Sequence, residues 1–299
     1  MPAAGTEHHE LLAQFPKLVD VTVEDHRINH DGRVIVARSY RPMNSHPSQA
    51  LVWVHGGAFL MGDLDMPESH WVGLMLAASG FSVIALDYVK AISGKQHADL
   101  NQDVLTGWSW SVDQLSKQGI DRGQIHIGGA SAGANLVACA CKALRDSDAK
   151  LPASLLLMYP LLHGVLPEVP VELLTQVRTD PRAICFESDW IADLGMHYAG
   201  PSALHSDPYA FAASGRLDGL PPTLIVNCSV DTLRVSGETF AEQLLRDGGV
   251  VSVSNMEGAV HGSLNTPNRP EAEQMLASMA EWMDSCVGVL QGEQNSDED

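Results

Sequence analysis

Residues 128–136 read GGASAGANL, in which a single serine stands among small, apolar or amide side chains. The stretch follows a short apolar run at residues 125–127 and opens a pattern typical of a helix over residues 132–145. Its centre fits G-x-S-x-G, with Ser131 in the middle. Where a strand turns sharply into a helix, the positions two before and two after the serine come too close to neighbouring chain for side chains. The stretch therefore predicts a strand, a strained turn at Ser131 and a helix.

Short apolar runs alternate with helical patterns along most of the chain. The strand candidates are residues 51–54, 81–86, 125–127, 154–158, 223–226 and 250–253. The helix candidates are residues 67–79, 99–118, 132–145, 234–246 and 270–287. This alternation predicts a mostly parallel sheet covered by helices on both faces. Near the start, Asp31-Gly32 separates two β-rich runs in residues 20–41 and predicts an antiparallel hairpin at the sheet edge.

Residues 163–206 interrupt the alternation. This segment is too long for an ordinary connection and contains two helical pieces, at residues 171–177 and 189–198. Insertions of this length often form a lid over a site, so we expect a cap here. We expect residues 1–299 to form one α/β domain and the acidic end, residues 290–299, to be disordered.

The composition argues against several classes of partner. The formal charge is −19, from 18 basic and 37 acidic residues, which disfavours nucleic acid and anionic membrane surfaces. No apolar run reaches the length of a membrane span, and the N-terminal sequence lacks the pattern of a signal peptide. The five cysteines include no C-x-x-C pair, which is typical of free thiols in a reducing compartment. We therefore expect a cytoplasmic protein that acts on a small molecule.

Residues 55–59 read HGGAF and directly follow the strand candidate at residues 51–54. Glycines at this place let backbone amides turn toward a substrate carbonyl and bind the negative charge that develops on its oxygen. An ordinary Gly-Gly turn is the alternative for HGGAF, as close helix packing is for GGASAGANL. The two motifs in this order, each after a strand, favour the catalytic interpretation of both.

A serine hydroxyl needs a base, and the base needs a carboxylate that orients it. Asp231 follows the strand candidate at residues 223–226, and His261 follows the one at residues 250–253. Both therefore lie at carboxyl ends of strands, where open α/β sheets place their sites. Asp231 could instead only cap the next helix, and His261 could be an ordinary loop histidine. No cluster of His, Cys, Asp or Glu has metal-ligand spacing, so we expect neither a metal nor a cofactor.

Together these motifs resemble the hormone-sensitive lipase family of α/β-hydrolases over residues 50–285. HGGAF followed by MGDLD resembles the family's HGGGF and GSLD, and GGASAGANL resembles its GGDSAGGNL. Met158-Tyr159-Pro160, Asp207-Pro208-Tyr209 and the segment around Asp231 recur at matching places. The resemblance implies the α/β-hydrolase fold, a mostly parallel eight-stranded sheet flanked by helices, with a helical cap from residues 1–18 and 163–206.

The resemblance also implies roles for individual residues. Ser131 is implied as the nucleophile, Asp231 as the orienting acid and His261 as the base. The oxyanion hole, a set of amides that binds the developing charge, is implied at Gly57, Ala58 and Ala132, with Gly56 completing the loop. Three cap residues are candidates for an acyl or alcohol pocket, with simple packing of the cap as the alternative: Trp190, Met196 and Tyr198.

The sequence departs from the family pattern at four places. Ala130 replaces the Asp before the serine, which removes a carboxylate beside it. Ala58 replaces a third glycine, and an amide is still present there. The family's DYRLAPE segment reads DYVKAIS at residues 87–93, without its Pro and Glu. Ser263 stands where the family has Phe after His-Gly, and we expect a wider site there.

We therefore expect a serine carboxylesterase that hydrolyses short-to-medium acyl esters through an acyl-enzyme. The acyl length rests on the resemblance. The same triad would serve an amidase or an acyltransferase, and the sequence does not separate these. A non-catalytic relative that binds a small molecule is a further alternative, although all three triad positions are filled. We expect a small-molecule ester as partner, no nucleic acid or membrane, and consider a homodimer.

Overall fold

The computed structural model describes residues 8–294, whose strands form an eight-stranded sheet. In chain order the strands are β1 (Val21–His30), β2 (Arg33–Pro42), β3 (Ala50–Val54), β4 (Ser82–Leu86), β5 (Ile125–Ala130), β6 (Leu155–Met158), β7 (Thr223–Val230) and β8 (Val251–Val260). Their order across the sheet is β1-β2-β4-β3-β5-β6-β7-β8. β1 and β2 are antiparallel, as are β2 and β4, and all later neighbours are parallel. The predicted mostly parallel eight-stranded sheet is confirmed.

Helices cover both faces of this sheet, as predicted. The α-helices within the described residues are α1 (His8–Gln14), α2 (Pro67–Ala78), α3 (His97–Lys117), α4 (Ala132–Asp146), α5 (Val171–Thr179), α6 (Ser188–Ala199), α7 (Ala203–Ser206), α8 (Arg234–Arg246) and α9 (Pro270–Gln294). α3, α4 and α8 pack on one face through side chains such as Trp108, Leu136 and Phe240. α2 and α9 pack on the other face through side chains such as Trp71 and Met279.

The central strands explain why the sequence shows continuous apolar runs. Every residue of β3, β4, β5 and β6 is buried. A parallel strand covered on both faces has no solvent side, so its sequence does not alternate between apolar and polar residues. β1 and β2 differ, because they form the predicted hairpin at the sheet edge. Its turn residues Asp31 and Gly32 have φ of 46° and 75°, as a two-residue hairpin turn requires.

β7 and β8 continue well beyond the strand candidates at residues 223–226 and 250–253, to Val230 and Val260. The second half of each strand contains polar residues, so it lacks the apolar run by which we recognised strands in the sequence. Asn227, for example, is buried, and its side chain is hydrogen-bonded to an asparagine of β8 at 3.0 Å. The longer strands bring the two chain segments that follow them to the same edge of the sheet.

Residues 163–206 contain the predicted helical pieces as α5 and α6, followed by the short α7. α5 packs toward β7 and α8 through Leu173 and Val177. α6 packs on the sheet face that α3, α4 and α8 cover, through Ile191 and Leu194. The insertion is therefore a set of helices attached to the body by apolar contacts.

The resemblance implied that residues 1–18 belong to the cap, with a helix at about residues 7–16. The described part of this segment contains α1 and a 3₁₀ turn at Pro16–Asp20, and the turn lies against α2. Leu11 and Leu18 are buried in the same core as α2, and the ring of Phe15 contacts Trp71 at 5.8 Å. Residues 1–7 lie outside the described residues.

The C-terminal helix is longer than the sequence indicated. α9 runs to Gln294, so residues 290–294 are helical where disorder was predicted. No proline interrupts the helical pattern there. Residues 295–299 of the predicted tail lie outside the described residues. In the part of the chain that the structure describes, no helix combines the length and apolar character needed to cross a membrane.

Candidate active site

Ser131 lies between the end of β5 at Ala130 and the start of α4 at Ala132. Its backbone has φ of 51° and ψ of −117°, which residues with side chains rarely adopt. The Ser131 amide donates to the Met158 carbonyl at 2.9 Å, so the turn stays attached to the end of β6. The predicted strand, strained turn and helix are confirmed.

The glycines around Ser131 are required by neighbouring backbone. A Cβ on Gly129 would lie 2.6 Å from the carbonyl carbon of Gly133. A Cβ on Gly133 would lie 2.3 Å from the carbonyl oxygens of Val54 and His55. Because these backbone atoms belong to α4, to β3 and to the loop after β3, they cannot move aside cheaply. The crowding predicted from GGASAGANL is confirmed.

Ser131, His261 and Asp231 are joined by two hydrogen bonds. Ser131 Oγ lies 2.9 Å from His261 Nε2, and His261 Nδ1 lies 2.6 Å from Asp231 Oδ2. Asp231 directly follows β7 and His261 directly follows β8, so two neighbouring parallel strands deliver the acid and the base. This arrangement lets an imidazole take the serine proton while a carboxylate orients its other nitrogen.

Asp231 also stabilises the turn that carries it. The residue is fully buried, and its Oδ1 accepts a hydrogen bond from the Leu233 amide at 2.9 Å. Its Oδ2 faces His261. The helix-cap interpretation of Asp231 is wrong, because the N-cap residue of α8 is Leu233 and no described side chain caps this helix. Asp231 Oδ1 instead bonds within the turn before α8, while Oδ2 faces the imidazole. The hydrogen bond from the Leu233 amide fixes the rotation of the carboxylate toward the imidazole.

The surroundings of His261 favour its protonated form. Burial alone would lower the pKa of His261, because burial disfavours a charged imidazolium. The charge and hydrogen bond of Asp231 oppose burial, the charge of Glu68 adds to them, and the pKa of His261 lies above the ordinary 6.5. His261 therefore holds a proton received from a nucleophile more tightly than a free imidazole would.

HGGAF forms a tight loop after β3. Gly57, Ala58 and Phe59 have positive φ of 117°, 52° and 63°, and a Cβ on Gly57 would lie 2.1 Å from the Met61 carbonyl oxygen. The amides of Gly57 and Ala58 donate no hydrogen bond to any described residue. Behind the loop, the buried Phe59 ring stacks on Tyr198 with ring centroids 3.7 Å apart. The loop thus holds two unpaired amide donors in place.

The Gly56 amide is already paired, which differs from the expectation that counted Gly56 among the oxyanion-hole residues. It donates to Glu68 Oε1 at 2.6 Å. Glu68 lies in the first turn of α2 and is 2% exposed. The sequence analysis missed Glu68, because an acidic residue at a helix start is ordinarily a favourable partner of the helix dipole. This leaves the amides of Gly57 and Ala58 as donors from which no described residue accepts, and an oxyanion role for them and for the Ala132 amide stays a prediction.

The DYVKAIS segment at residues 87–93 supports the HGGAF loop from another side. Tyr88 Oη donates to the carbonyl oxygen of His55 at 3.1 Å. The buried His55 ring contacts Asp87 at 3.1 Å, and Lys90 Nζ lies 2.5 Å from the same carboxylate oxygen. Burial would raise the pKa of Asp87, but the His55 hydrogen bond and the Lys90 charge lower it to about 2. An ion pair therefore holds this segment without the family's Pro and Glu.

Ser263 acts inside the turn that carries His261. Its Oγ donates to the Val260 carbonyl at 2.7 Å and accepts from the Val260 amide at 3.2 Å. The side chain is 2% exposed. The hydroxyl therefore stabilises the turn. We expected Ser263 to widen the site, but its side chain does not face open space.

The cap reaches His261 through Phe186, which the sequence analysis also missed. The Phe186 ring meets the His261 imidazole edge to face, with centroids 4.7 Å apart. The amide and carbonyl of Phe186 are hydrogen-bonded to the Thr232 hydroxyl at 3.0 and 3.1 Å. Because Thr232 follows Asp231, these bonds fix the cap to the turn that carries the acid. An aromatic residue within the cap was the only signal in the sequence.

The three predicted pocket residues lie in different surroundings. Trp190 is 45% exposed, and its ring contacts Phe186 at 5.6 Å. Met196 is 41% exposed. Tyr198 is fully buried between Phe59 and other aromatic rings, so it packs the cap on the body and lines no open pocket. Of the three, the structure brings Trp190 toward His261.

The described residues offer no cluster of three or more His, Cys, Asp and Glu side chains that could hold a metal ion. The five cysteines are free, and burial raises the pKa of Cys139 to about 12. The groups at this edge of the sheet are therefore a hydroxyl, an imidazole, two carboxylates and backbone amides.

Known proteins share the chain's sequence and fold. The family model for the alpha/beta hydrolase fold matches residues 51–265. Esterase LipI of Mycobacterium tuberculosis is 30% identical over 84% of this chain and 78% of its own length. An arylesterase of Saccharolobus solfataricus is 27% identical over 87% of this chain and 83% of its own length. The carboxylic ester hydrolase LipN of M. tuberculosis is 28% identical, over 83% of this chain and 65% of LipN.

Solved structures agree with these matches. The esterase of Pyrobaculum calidifontis superimposes with a TM-score of 0.78 at 28% identity, over 93% of this chain and 90% of that chain. An esterase of the bacterial hormone-sensitive lipase family shares the fold with a TM-score of 0.73 at 23% identity, over 90% of this chain and 85% of its own. The chain therefore belongs to the hormone-sensitive lipase family of α/β-hydrolases, and its chemistry is carboxylic-ester hydrolysis.

Proposed function

We propose that this chain is a serine esterase that hydrolyses short-to-medium acyl esters through an acyl-enzyme on Ser131. One observation carries the proposal: Ser131 Oγ lies 2.9 Å from His261 Nε2, whose Nδ1 lies 2.6 Å from Asp231. A serine hydroxyl becomes an effective nucleophile when a base so placed removes its proton during the attack.

In the acylation step, Ser131 Oγ attacks the ester carbonyl carbon while its proton moves to His261 Nε2. The carbonyl oxygen becomes negatively charged and accepts hydrogen bonds from the amides of Gly57, Ala58 and Ala132. Loss of one such donor typically slows a reaction by about 10²–10³-fold. His261 then donates its proton to the leaving alcohol oxygen as the carbon–oxygen bond breaks, and the acyl group stays on Ser131.

In the deacylation step, water attacks the acyl carbon and His261 takes its proton. The same proton returns to Ser131 Oγ as the carboxylic acid leaves. The Asp231 carboxylate keeps the imidazole in the tautomer that presents Nε2 to the serine. The raised pKa of His261 supports the imidazolium that forms in both steps.

The alcohol side of the ester is proposed to lie against the cap. The leaving oxygen must approach His261 Nε2 to receive a proton, and Phe186 is the cap residue that contacts this imidazole. Trp190 extends the aromatic surface outward from Phe186. An aryl alcohol would stack on this surface, and one relative is an arylesterase. The preference for shorter acyl chains rests on the family resemblance.

The proposal is tested with p-nitrophenyl acetate, butyrate, octanoate and palmitate, together with a fluorophosphonate probe. We expect turnover of the shorter esters and labelling of Ser131, with both lost in Ser131→Ala. Thermal unfolding of Ser131→Ala controls for misfolding. Full activity or labelling of the folded variant would refute the nucleophile, and best activity on palmitate would refute the acyl length.

Two finer points need their own measurements. An amidase or acyltransferase would pass through the same acyl-enzyme, so matched ester and anilide substrates of one acyl group, with and without an added alcohol, separate the three activities.

A homodimer stays a prediction. β8 is the last strand in the sheet order and much of it is exposed, so its outer edge could pair with another chain. Sedimentation of the purified protein measures its mass directly.

A further inference from the structure

The Glu68 carboxylate joins three separate chain segments. Its Oε1 accepts from the Gly56 amide at 2.6 Å, and its Oε2 accepts from Tyr159 Oη at 2.5 Å and from Asn265 Nδ2 at 3.2 Å. Asn265 also accepts from the Glu68 amide at 3.2 Å, so the two residues are bonded twice. The acidic group is thus satisfied by three donors from the loop after β3, the loop after β6 and the turn after His261.

The three donors are uncharged, which makes the buried carboxylate unusual. Within residues 8–294, no Lys, Arg or His forms an ion pair with Glu68. The side chain is 2% exposed, so its charge has little water around it. Burial of a carboxylate without a cation is costly. A carboxylate accepts on both oxygens, whereas a glutamine would turn an NH2 donor toward the Gly56 amide or toward the Tyr159 and Asn265 donors. The three donors therefore select an acid here, and its buried charge remains to act on its surroundings.

Each of the three donors lies next to a residue of the candidate active site. Gly56 precedes the two unpaired amides of the HGGAF loop, and a Cβ on it would lie 3.1 Å from Ser131 Cβ. The Tyr159 ring contacts the His261 imidazole edge to face, with centroids 5.1 Å apart. Asn265 ends the 3₁₀ turn that follows His261. One carboxylate therefore connects the oxyanion loop to the support of the base.

We infer that Glu68 is a positioning residue for ester hydrolysis, which sets the oxyanion loop against Ser131 and electrostatically supports the protonated form of His261. The inference rests on the proposed function of this site. Glu68 touches neither the substrate nor the reacting atoms. It acts through the Gly56 amide on the loop and through its charge on the imidazole.

The charge effect can be separated from that of other groups. Asp231 after β7 is hydrogen-bonded to His261, and the Tyr159 ring after β6 contacts its imidazole. Glu68 from α2 lies on the other side of Tyr159, from whose hydroxyl it accepts a hydrogen bond, and its charge acts on the imidazole from there. Phe186 from the cap is neutral. The Tyr159 phenol stays neutral, because burial holds its pKa well above the ordinary 10. Asp231 and Glu68 are therefore the two charges that raise the pKa of His261.

Glu68→Gln and Glu68→Asp divide the two effects. Glutamine keeps the length of the side chain but removes its charge, so the acid limb of the kcat/KM profile should shift to lower pH. Aspartate keeps the charge but withdraws the carboxylate from the Gly56 amide. We expect kcat to fall by up to about 100-fold in Glu68→Asp, with KM changed less, because a misplaced loop weakens binding of the transition state.

Asp207→Asn is the control. Asp207 is a half-buried carboxylate that also accepts a backbone amide, that of Tyr209 at 2.8 Å, and it contacts neither the HGGAF loop nor the residues around His261. The same chemical change there should cost stability while leaving the acid limb and kcat in place. Binding of a trifluoromethyl ketone, which forms an oxyanion on the serine, should weaken in Glu68→Asp more than substrate KM rises.

The outcomes are distinguishable. Folded Glu68→Gln with a wild-type acid limb, or folded Glu68→Asp with wild-type kcat and ketone affinity, would overturn the inference. Equal changes in Asp207→Asn would also overturn it, since they would show a general effect of removing a carboxylate charge. If wild-type Ser131 is not labelled by the fluorophosphonate, the proposed function itself fails, independently of Glu68.

Discussion

The elbow around Ser131 and the cap above it are held by different forces. In the elbow, backbone fixes backbone, since a Cβ on Gly133 would lie 2.3 Å from two carbonyl oxygens. The cap is held on the body by side-chain contacts. Phe186 is held at His261 through the Thr232 hydroxyl, and Trp190 stays 45% exposed. The elbow cannot shift without disturbing the sheet, whereas a shift of the cap would exchange side-chain contacts such as those of Ile191 and Leu194. We therefore expect the backbone to hold the reacting groups and the side chains of the cap to control substrate choice.

The largest expected effect is on kcat, from a substitution of Asp231 after β7. Asp231→Asn should lower kcat by about 10⁴-fold, because an amide beside His261 Nδ1 favours the wrong tautomer. Stability should change little, since asparagine can still accept the Leu233 amide through Oδ1. Steady-state kinetics and thermal unfolding measure the two effects. A loss of less than tenfold in kcat would remove Asp231 from the proposed triad.

The second prediction compares the two regions directly through one added methyl group. Gly133→Ala should destabilise the fold by more than about 3 kcal/mol, because rigid backbone surrounds the site. Gly195→Ala in α6 meets the tip of Leu204 at 2.6 Å and the Gly164 carbonyl of the cap at 2.9 Å. The Leu204 tip can turn aside, whereas the Gly164 backbone must shift by a few tenths of an ångström. Alanine gains about 1 kcal/mol of helix propensity, so we expect Gly195→Ala to cost less stability than Gly133→Ala. Equal urea midpoints for the two variants would contradict the difference in rigidity.

The same difference explains what could be predicted from the sequence. Backbone crowding requires glycine at a fixed spacing, so GGASAGANL predicts the strand, the turn and the helix from the sequence alone. Asp231 and His261 could be placed because each follows a strand in the chain order of a known family. Those strands were recognised only in part, since buried polar residues such as Asn227 interrupt the apolar run of β7.

The parts that escaped prediction are long-range side-chain contacts without a fixed spacing. Glu68 reaches the active-site loop from a helix start, where an acid is ordinary. The sequence showed that Ala130 lacks the family's carboxylate, but not that another segment brings a carboxylate to the adjoining loop. Phe186 contacts His261 only because a threonine holds its backbone. For Tyr198 the sequence left a pocket and simple packing of the cap open, and its ring is stacked in the core.

The third prediction loosens the cap without touching the elbow. Thr232→Val keeps the buried shape but removes both hydrogen bonds to Phe186. We expect a loss of about 1–3 kcal/mol in stability, because a buried amide loses its partner. kcat/KM for phenyl acetate should fall more than kcat/KM for ethyl acetate, since Phe186 is proposed to lie beside the leaving alcohol. An equal fall for both esters would show that Phe186 only supports His261.

The smallest expected effect separates two buried histidines by pH. His261 has a pKa above 6.5, whereas burial lowers the pKa of His126, in β5, to about 4. Activity requires neutral His261, so kcat/KM should fall as pH drops through a value above 6.5. A midpoint below 6.5 would contradict the support that Asp231 gives the imidazolium.

The stability contribution of each histidine should run in opposite directions. The folded state holds the His261 proton more tightly than the unfolded state, so its contribution is present below pH 6.5 and is lost as pH rises through the folded pKa. His126 stays neutral in the folded state, so the unfolded state takes up the proton first. Its contribution is lost as pH falls from 6.5 toward 4, by at most about 1.4 kcal/mol per pH unit. His126→Gln should therefore flatten the loss of urea midpoint between pH 7 and pH 5, and the exposed His46→Gln should not. If both variants lose stability in parallel, desolvation of the sheet histidine does not control this part of the profile.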